Sequence, residues 1–331
     1  MKKGLFVIFL ISSGLLGFLY FEVFNKPEEK SCVQKFAAFD IGSGTTKLKI
    51  AEVDVCKKKV LDNLIYMTMP VAYAQNLKEN NGKFSKSIME YGTKIMSRFI
   101  NASKSYNVTQ VMGVATSAFR KSSNGRKLIG LWNKKFSTKF RVIEQREEAL
   151  IGYDSVRMRS NLNYAVWDIG GGSMQLVENA EGKPFVYLGN IASVTFKNEF
   201  MKKMRLKGAS PNPIDKLGFE AAINLSMELF NEEVRKNKLI TFDDDLMFIG
   251  IGGLHKSLLP KGKTEYSLND MIERSKSYIN KTDSQINSKY SDTMVTNIAL
   301  IIGFMKLFKI SKVKVMDVVL SDGLIHQKLM Y

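Results

Sequence analysis

The chain has 331 residues, of which 45% are hydrophobic and 11% aromatic, with two cysteines and six prolines. This composition excludes a disordered chain and a small disulfide-stapled domain, and the length suits two packed domains of ordinary size. Lys and Arg number 49 against 32 Asp and Glu, a net charge of +17. Such a balance suits anionic partners such as nucleic acid, acidic lipid or polyphosphate, but it also follows from the Lys-, Asn- and Ile-rich usage of an AT-rich genome, so charge alone selects no function.

Lys2 and Lys3 precede an uncharged apolar run from Gly4 to Tyr20, which continues to Phe24 with only Glu22 as interruption. About 20 apolar residues suffice to cross a bilayer. Residues 1–32 are therefore expected to be a signal anchor or a cleaved signal peptide. No A-x-A-like site follows, which favours the anchor. The basic start would place the remainder on the far side of an inner membrane, or outside the cell if the segment is cleaved.

Residues 36–41 and 46–55 read as strands around Gly42-Ser43-Gly44-Thr45. In an antiparallel hairpin about that turn, facing residue numbers sum to about 87 or 88. Cys32 then meets Cys56 where the hairpin opens, at a separation a disulfide can span; two unrelated thiols are the alternative. Residues 59–68 form the next strand, and Ser87–Tyr106 has apolar residues at helical spacing. A strand over 109–116 is followed by helical pieces at Ser117–Arg120 and Asn124–Lys134, with Asn124 as N-cap. A short strand at 140–144 and a helix at Arg146–Arg159 lead to a strand at Tyr164–Ile169. That strand turns through Gly170-Gly171-Gly172-Ser173 into Met174–Glu178.

Asp40-Ile-Gly-Ser-Gly and Asp168-Ile-Gly-Gly-Gly are thus a weak internal repeat: an Asp closing a strand, a glycine turn, a returning strand. Glycine lets backbone N–H groups approach a phosphate without obstruction by Cβ, and successive amides form an anion nest. An Asp at the strand end suits a hydrated Mg²⁺ between phosphates. A third cluster, Gly250-Ile-Gly252-Gly253, follows the apolar residues Leu246–Ile249; by itself it also reads as a tight strand-to-helix turn. Together the three clusters fit an α/β architecture, the two-lobed actin-like, ribonuclease-H-like fold shared by actin, hexokinase and heat-shock ATPases.

Beyond these loops the sequence carries Ala115-Thr116-Ser117-Ala118-Phe119-Arg120 followed by Asn124, then Val142-Ile143, Glu147-Glu148-Ala149 and Trp167-Asp168-Ile-Gly-Gly-Gly-Ser173. In order and spacing this resembles the exopolyphosphatase/guanosine pentaphosphate phosphatase (Ppx/GppA) family in its short form. Matching motifs run from Phe36 to Leu320-Ser321-Asp322-Gly323-Leu324. The resemblance implies a first lobe over 33–146, a second over 147–322, and a last helix at 323–331 returning to the first lobe. It implies an Mg²⁺-dependent phosphohydrolase that releases terminal phosphate from inorganic polyphosphate or guanosine pentaphosphate. Glu148 would activate the attacking water, and Arg120 would pair with phosphate oxygens. Asp40 and Asp168 would hold Mg²⁺. Gly42, Ser43, Gly44 and Thr45, with Gly170, Gly171, Gly172, Ser173, Gly252 and Gly253, would cradle the phosphates.

There are departures from the family pattern. Gln175 stands where G-G-G-S-x-E has a glutamate, keeping size but losing a charge. Gly44-Thr45 replaces Asn-Ser, Leu254 replaces a Thr, and Ile325-His326-Gln327 replaces Arg-Glu-Gly. His255 and His326 are the only histidines, so a histidine metal centre is not expected. The alternative to a hydrolase is a membrane-tethered phosphoanion sensor on a weakened site; an ATP-using kinase or filament protein is a third class, opposed by Glu148 in its E-E-A setting. No aromatic-basic motif points to specific nucleic-acid binding, and a homodimer is left open.

Overall fold

The computed structural model describes residues 31–157, 163–180, 183–237, 242, 246–288 and 290–330. The chain builds two mixed sheets on one plan. In the first, β1 (Val33–Ile41), β2 (Thr45–Asp54), β3 (Lys59–Pro70), β4 (Gln110–Ala115) and β5 (Arg141–Val142) lie in the order β3-β2-β1-β4-β5. The first three strands are antiparallel neighbours, while β4 runs parallel to β1 and β5 parallel to β4. Its helices are α1 (Tyr73–Glu79), α2 (Lys86–Ser105), α3 (Ser117–Lys121), α4 (Gly125–Phe136) and α5 (Gln145–Arg157).

Strand periodicity divides β1 between two cores. Ala37, Phe39 and Ile41 pack with Ile95, Met96 and Phe99 of α2 and Leu128, Ile129 and Trp132 of α4. Phe36 and Ala38 join Ala51 and Val53 on the other face. A central strand covered on both sides is apolar along its length, which is why residues 36–41 read as a near-continuous run. Helix α1 has no counterpart in the sequence reading; its seven residues bury only Tyr73 and Leu77. Ala74 N–H donates to the Ser43 carbonyl at 2.9 Å and ties it to the first glycine turn. Asn124 precedes α4 as expected, but its side chain does not cap it. Asn124 Oδ1 instead accepts from Phe84 N–H at 2.9 Å and its Nδ2 donates to the Phe84 carbonyl at 3.0 Å, pinning the segment that leads into α2.

The second sheet repeats the arrangement. Strands β6 (Tyr164–Ile169), β7 (Met174–Ala180), β8 (Lys183–Gly189), β9 (Met247–Ile251), β10 (Glu265–Ser267) and β11 (Lys312–Val315) take the order β10-β11-β9-β6-β7-β8. Again an antiparallel β6-β7-β8 meander is flanked by parallel β9 and β11. Its helices are α6 (Ser193–Lys203), α7 (Lys216–Asn237), α8 (Gly252–Leu258), α9 (Leu268–Lys276), α10 (Asp283–Ile286), α11 (Ser291–Leu307) and α12 (Leu320–Met330). Helix α11 is apolar on all sides and buried from Thr293 to Met305, the expected fate of a helix without a polar face.

Two helices join the sheets. Ala149, Tyr153 and Val156 of α5 pack with Val166 and Ile251 of the second sheet. Ile151 of the same helix packs with Leu324, Ile325 and Leu329 of α12 and with Phe36 and Val53 of the first sheet. The last helix thus lies against the first sheet, where Lys49 of β2 forms a buried ion pair with Asp322. Helices α5 and α12 touch at Gly323, where a Cβ would stand 2.0 Å from the Ile151 carbonyl oxygen. Gln327 Nε2 donates to Asp154 Oδ2 at 2.8 Å one turn further along.

The hairpin register is the expected one. Val33 pairs with Asp54, Val55 N–H donates to the Cys32 carbonyl at 2.8 Å one step outward, and Cys32 forms a disulfide with the following residue, Cys56, with Cα atoms 5.4 Å apart. The expected membrane segment, residues 1–32, lies outside the described residues except for Ser31 and Cys32. Among the described residues no helix is long and apolar enough to cross a membrane. That corrects the sequence-based placement, and the inner-membrane-anchored enzyme outside the cytoplasm is set aside.

Gly323→Ala should destabilise the protein by about 2 kcal/mol or more, because the clash is with backbone that no rotamer can relieve; denaturant unfolding measures it. Replacing both Cys32 and Cys56 by Ser should cost about 3 kcal/mol at this loop length, read as a lowered unfolding midpoint that reductant reproduces in the parent chain.

Candidate active site

The two glycine turns have the same local form. Gly42 N–H donates to the Thr45 carbonyl and Gly170 N–H to the Ser173 carbonyl, each at 2.9 Å. Asp40 is the register partner of Lys47 on β2, and Asp168 that of Gln175 on β7. Among the described residues, the amides of Ser43, Gly44, Gly171 and Gly172 donate to no protein acceptor. Free amides at the tips of both turns are what an anion nest requires.

The turns face each other across the junction of the lobes. A Cβ on Gly171 would lie 3.8 Å from Ser43 Cβ, and one on Gly172 would lie 3.2 Å from Ser117 Oγ. Ser43 Oγ accepts from the Ala118 N–H at 3.2 Å, so the first turn is braced by α3. The second is braced by the start of α6, where the Ser193 and Val194 N–H groups donate to the Gly170 and Gly171 carbonyls at 3.1 and 2.9 Å. Lys121 Nζ donates to the Gly172 carbonyl at 2.8 Å, crossing from one lobe to the other.

Glu148 sits on the first turn of α5, beside this junction. Arg120 Nη1 donates to Glu148 Oε2 at 2.7 Å and to the Ile143 carbonyl at 2.9 Å. The expected phosphate fork of Arg120 is thus partly engaged with Glu148, while its Nη2 and Nε carry no protein hydrogen bond among the described residues. Burial pushes the Glu148 carboxyl above the usual range; Arg120 opposes the shift and Asp40 adds to it. Asp40 is buried and salt-bridged to Lys47 at 2.7 Å. Burial works against the Lys47 charge, but Asp40, with Tyr66 and Asp168 adding, holds that proton above the ordinary lysine range.

Asp168 has no cationic partner of its own, and no hydrogen bond to its carboxylate occurs among the described residues. Burial, then the Glu148 charge, pushes its carboxyl up to about 7, with Lys47 opposing and Asp40 adding. Gly252, in the left-handed region at φ +85°, lets α8 begin directly against this carboxylate: a Cβ there would lie 2.8 Å from Asp168 Oδ1. The third glycine cluster is therefore a strand-to-helix turn that backs the site, with Gly253 beside the Tyr290 hydroxyl. Gln175 is buried, and its Nε2 donates to Ser173 Oγ at 3.2 Å.

The structure thus gathers Asp40, Glu148, Asp168, Arg120 and both turns about one cleft. Among the described residues, their carboxylates do not close into a three-ligand cluster; the one such grouping is Cys32, Asp54 and Cys56, whose sulfurs are bonded to each other. His255 is buried against Trp167, with Nδ1 and the Tyr266 hydroxyl 2.8 Å apart, and burial pulls its pKa down to about 3, so it is a packing residue. His326 is half-buried on α12. Two cations were not singled out in the sequence, Lys47 and Lys121. Lys47 was within reach: a hairpin register in which facing numbers sum to 87 sets it opposite Asp40.

Residues 53–209 match the model of the Ppx/GppA phosphatase family. The resemblance to that family rests on this segment. The match holds Arg120, Glu148 and the second turn, and begins after the first. Solved structures extend the likeness to most of the chain. A Ppx/GppA family member from Aquifex aeolicus is 18% identical with a TM-score of 0.71, over 90% of this chain and 98% of that one. An exopolyphosphatase from Cytophaga hutchinsonii is 19% identical with a TM-score of 0.73, over 90% and 98%. An exopolyphosphatase-like protein is 16% identical with a TM-score of 0.75, over 91% and 100%. No curated protein sequence matches the chain. These solved structures bear out the two-sheet α/β fold.

Asp168 gives the junction of the lobes a pH signature. A carboxyl raised from its unfolded range to about 7 binds more protons when folded, so stability is greatest at acid pH and is lost as pH rises through about 7. Asp168→Asn should flatten the unfolding midpoint between about pH 4 and 7 in metal-free buffer, as followed by denaturant titration.

Proposed function

We propose that the chain is an Mg²⁺-dependent phosphohydrolase that releases terminal phosphate from inorganic polyphosphate, with guanosine pentaphosphate as the competing substrate. The observation that carries this is the meeting of two turns with free amides beside Glu148, a carboxylate kept basic by burial. Phosphoryl transfer asks mainly for positioning and charge neutralisation, and the cleft supplies both. The turn amides hold the phosphate oxygens. Arg120 offers its uncommitted Nη2 and Nε to the same group, and Glu148 accepts the proton of the attacking water.

The donor set suits Mg²⁺, a hard cation that keeps most of its water. Asp168, a carboxylate raised first by burial and then by the Glu148 charge, would hold it with Asp40 on the opposite turn, and the ion would supply charge neutralisation between phosphates. One observation favours a second reading, a phosphoanion-binding sensor. Gln175 is the register partner of Asp168 and carries no charge, so β7 adds no second carboxylate there.

Phosphate release by the full chain with Mg²⁺, from long polyphosphate, guanosine pentaphosphate and ATP, separates the readings. Glu148→Gln should lower kcat by about 30-fold or more, equivalent to about 2 kcal/mol of transition-state stabilisation; full activity in that variant removes Glu148 as the base. Salt-sensitive polyphosphate binding without release from any substrate would establish the sensor.

A further inference from the structure

We propose that Lys121 and Ser117 form a phosphate-binding bridge between the lobes, in which the Lys121 ammonium takes a phosphate oxyanion while it fastens the second glycine turn over the cleft. This rests on the reading of the cleft as a phosphate site, and adds to it two groups from the first lobe that reach the turn of the second.

Lys121 lies one residue beyond Arg120, and the two point charges into the same region. Its single hydrogen bond, to the Gly172 carbonyl at 2.8 Å, uses one of three N–H donors and offers no negative charge. The nearest ionised groups are Arg120, which repels it, and Glu148, which is already bonded to Arg120. Lys121 is exposed as a residue, yet beside a guanidinium its ammonium is held below its ordinary range, first by lost solvation and then by Arg120. A cation with spare donors and no counter-ion among the described residues, beside free turn amides, is a site awaiting an anion.

Ser117 supplies an independent observation. Its side chain is buried and its Oγ has no hydrogen-bond partner among the described residues. A buried hydroxyl left unpaired costs stability unless something arrives to bond it. The hydroxyl lies by the second turn: a Cβ on Gly172 would be 3.2 Å from Ser117 Oγ and 3.9 Å from both Lys121 Nζ and Ser43 Oγ. A ligand of this ring must be small, multiply negative and rich in acceptors, which describes a phosphate group. Because Lys121 and Ser117 belong to the first lobe and Gly172 to the second, an anion held here draws the lobes together.

The test is titration of the intact chain with inorganic phosphate by calorimetry, alongside kcat and KM on tripolyphosphate. Lys121→Met should weaken phosphate binding about tenfold or more, and Ser117→Ala about threefold, as for loss of a charge-assisted and a neutral hydrogen bond. Lys121→Arg should restore affinity to within about threefold of the parent, since the charge and reach are retained. In tripolyphosphate turnover the Met variant should raise KM more than it lowers kcat. Unchanged phosphate affinity in a Lys121→Met protein with a parental unfolding midpoint overturns the bridge and leaves the hydrolase reading intact. Failure of the parent chain to bind phosphate also overturns it. Phosphate binding that follows this pattern in a chain that hydrolyses nothing keeps the bridge and removes the hydrolase.

Discussion

The crossing of α5 and α12 at Gly323 is the constraint on which the cleft depends. A side chain there would meet the Ile151 carbonyl oxygen at 2.0 Å, so only glycine allows the helices to touch backbone to backbone. One helix covers the second sheet, the other the first, and Ile151 packs into the shared layer. That contact sets how closely the two sheets approach. The glycine turns at the ends of β1 and β6 are then separated by little more than the side chain of Ser43.

From this approach follows the electrostatics. Three carboxylates face a common space, and each is handled differently. Asp40 is paired with Lys47, Glu148 with Arg120, and Asp168 with no cation among the described residues. Burial first, and the neighbouring Glu148 charge second, raise the affinity of the Asp168 carboxyl for a proton. The cations are just as uneven: Lys47 is neutralised by Asp40, whereas Lys121 donates only to a carbonyl. An anionic ligand with an accompanying divalent cation would relieve both imbalances, which is a physical reason to expect the two to bind together.

The duplicated plan explains where the halves differ. Asp40 and Asp168 occupy equivalent strand ends, as do Lys47 and Gln175 in the returning strands. The charge at the first position holds its Asp; the neutral amide at the second leaves its Asp available. The duplication does not reach function uniformly, because the segments after β4 and β9 diverge. Residues Thr116–Lys121 bring hydroxyls and two cations to the cleft, whereas Gly252 and Gly253 bring none and serve to let α8 start against Asp168.

Local pattern determined much of this in advance. The strands around both turns follow from apolar runs broken by glycine, and the pairing of Cys32 with Cys56 follows from hairpin register, a two-residue periodicity that counting can resolve. The motif Thr116-Ser117-Ala118-Phe119-Arg120 and the pair Glu147-Glu148 pointed to the family by order and spacing. What the sequence did not determine is anything that depends on contact between residues far apart in the chain. Helix α1 is too short to stand alone, and it is held because the fold buries Tyr73 and ties Ala74 to Ser43. Asn124 sits at a helix start yet spends its side chain on Phe84. The meeting of Lys121 with Gly172, the ion pair of Arg120 with Glu148 and the isolation of Asp168 were decided by the tertiary structure, because the separation of two lobes is set by helix packing and no local periodicity encodes it.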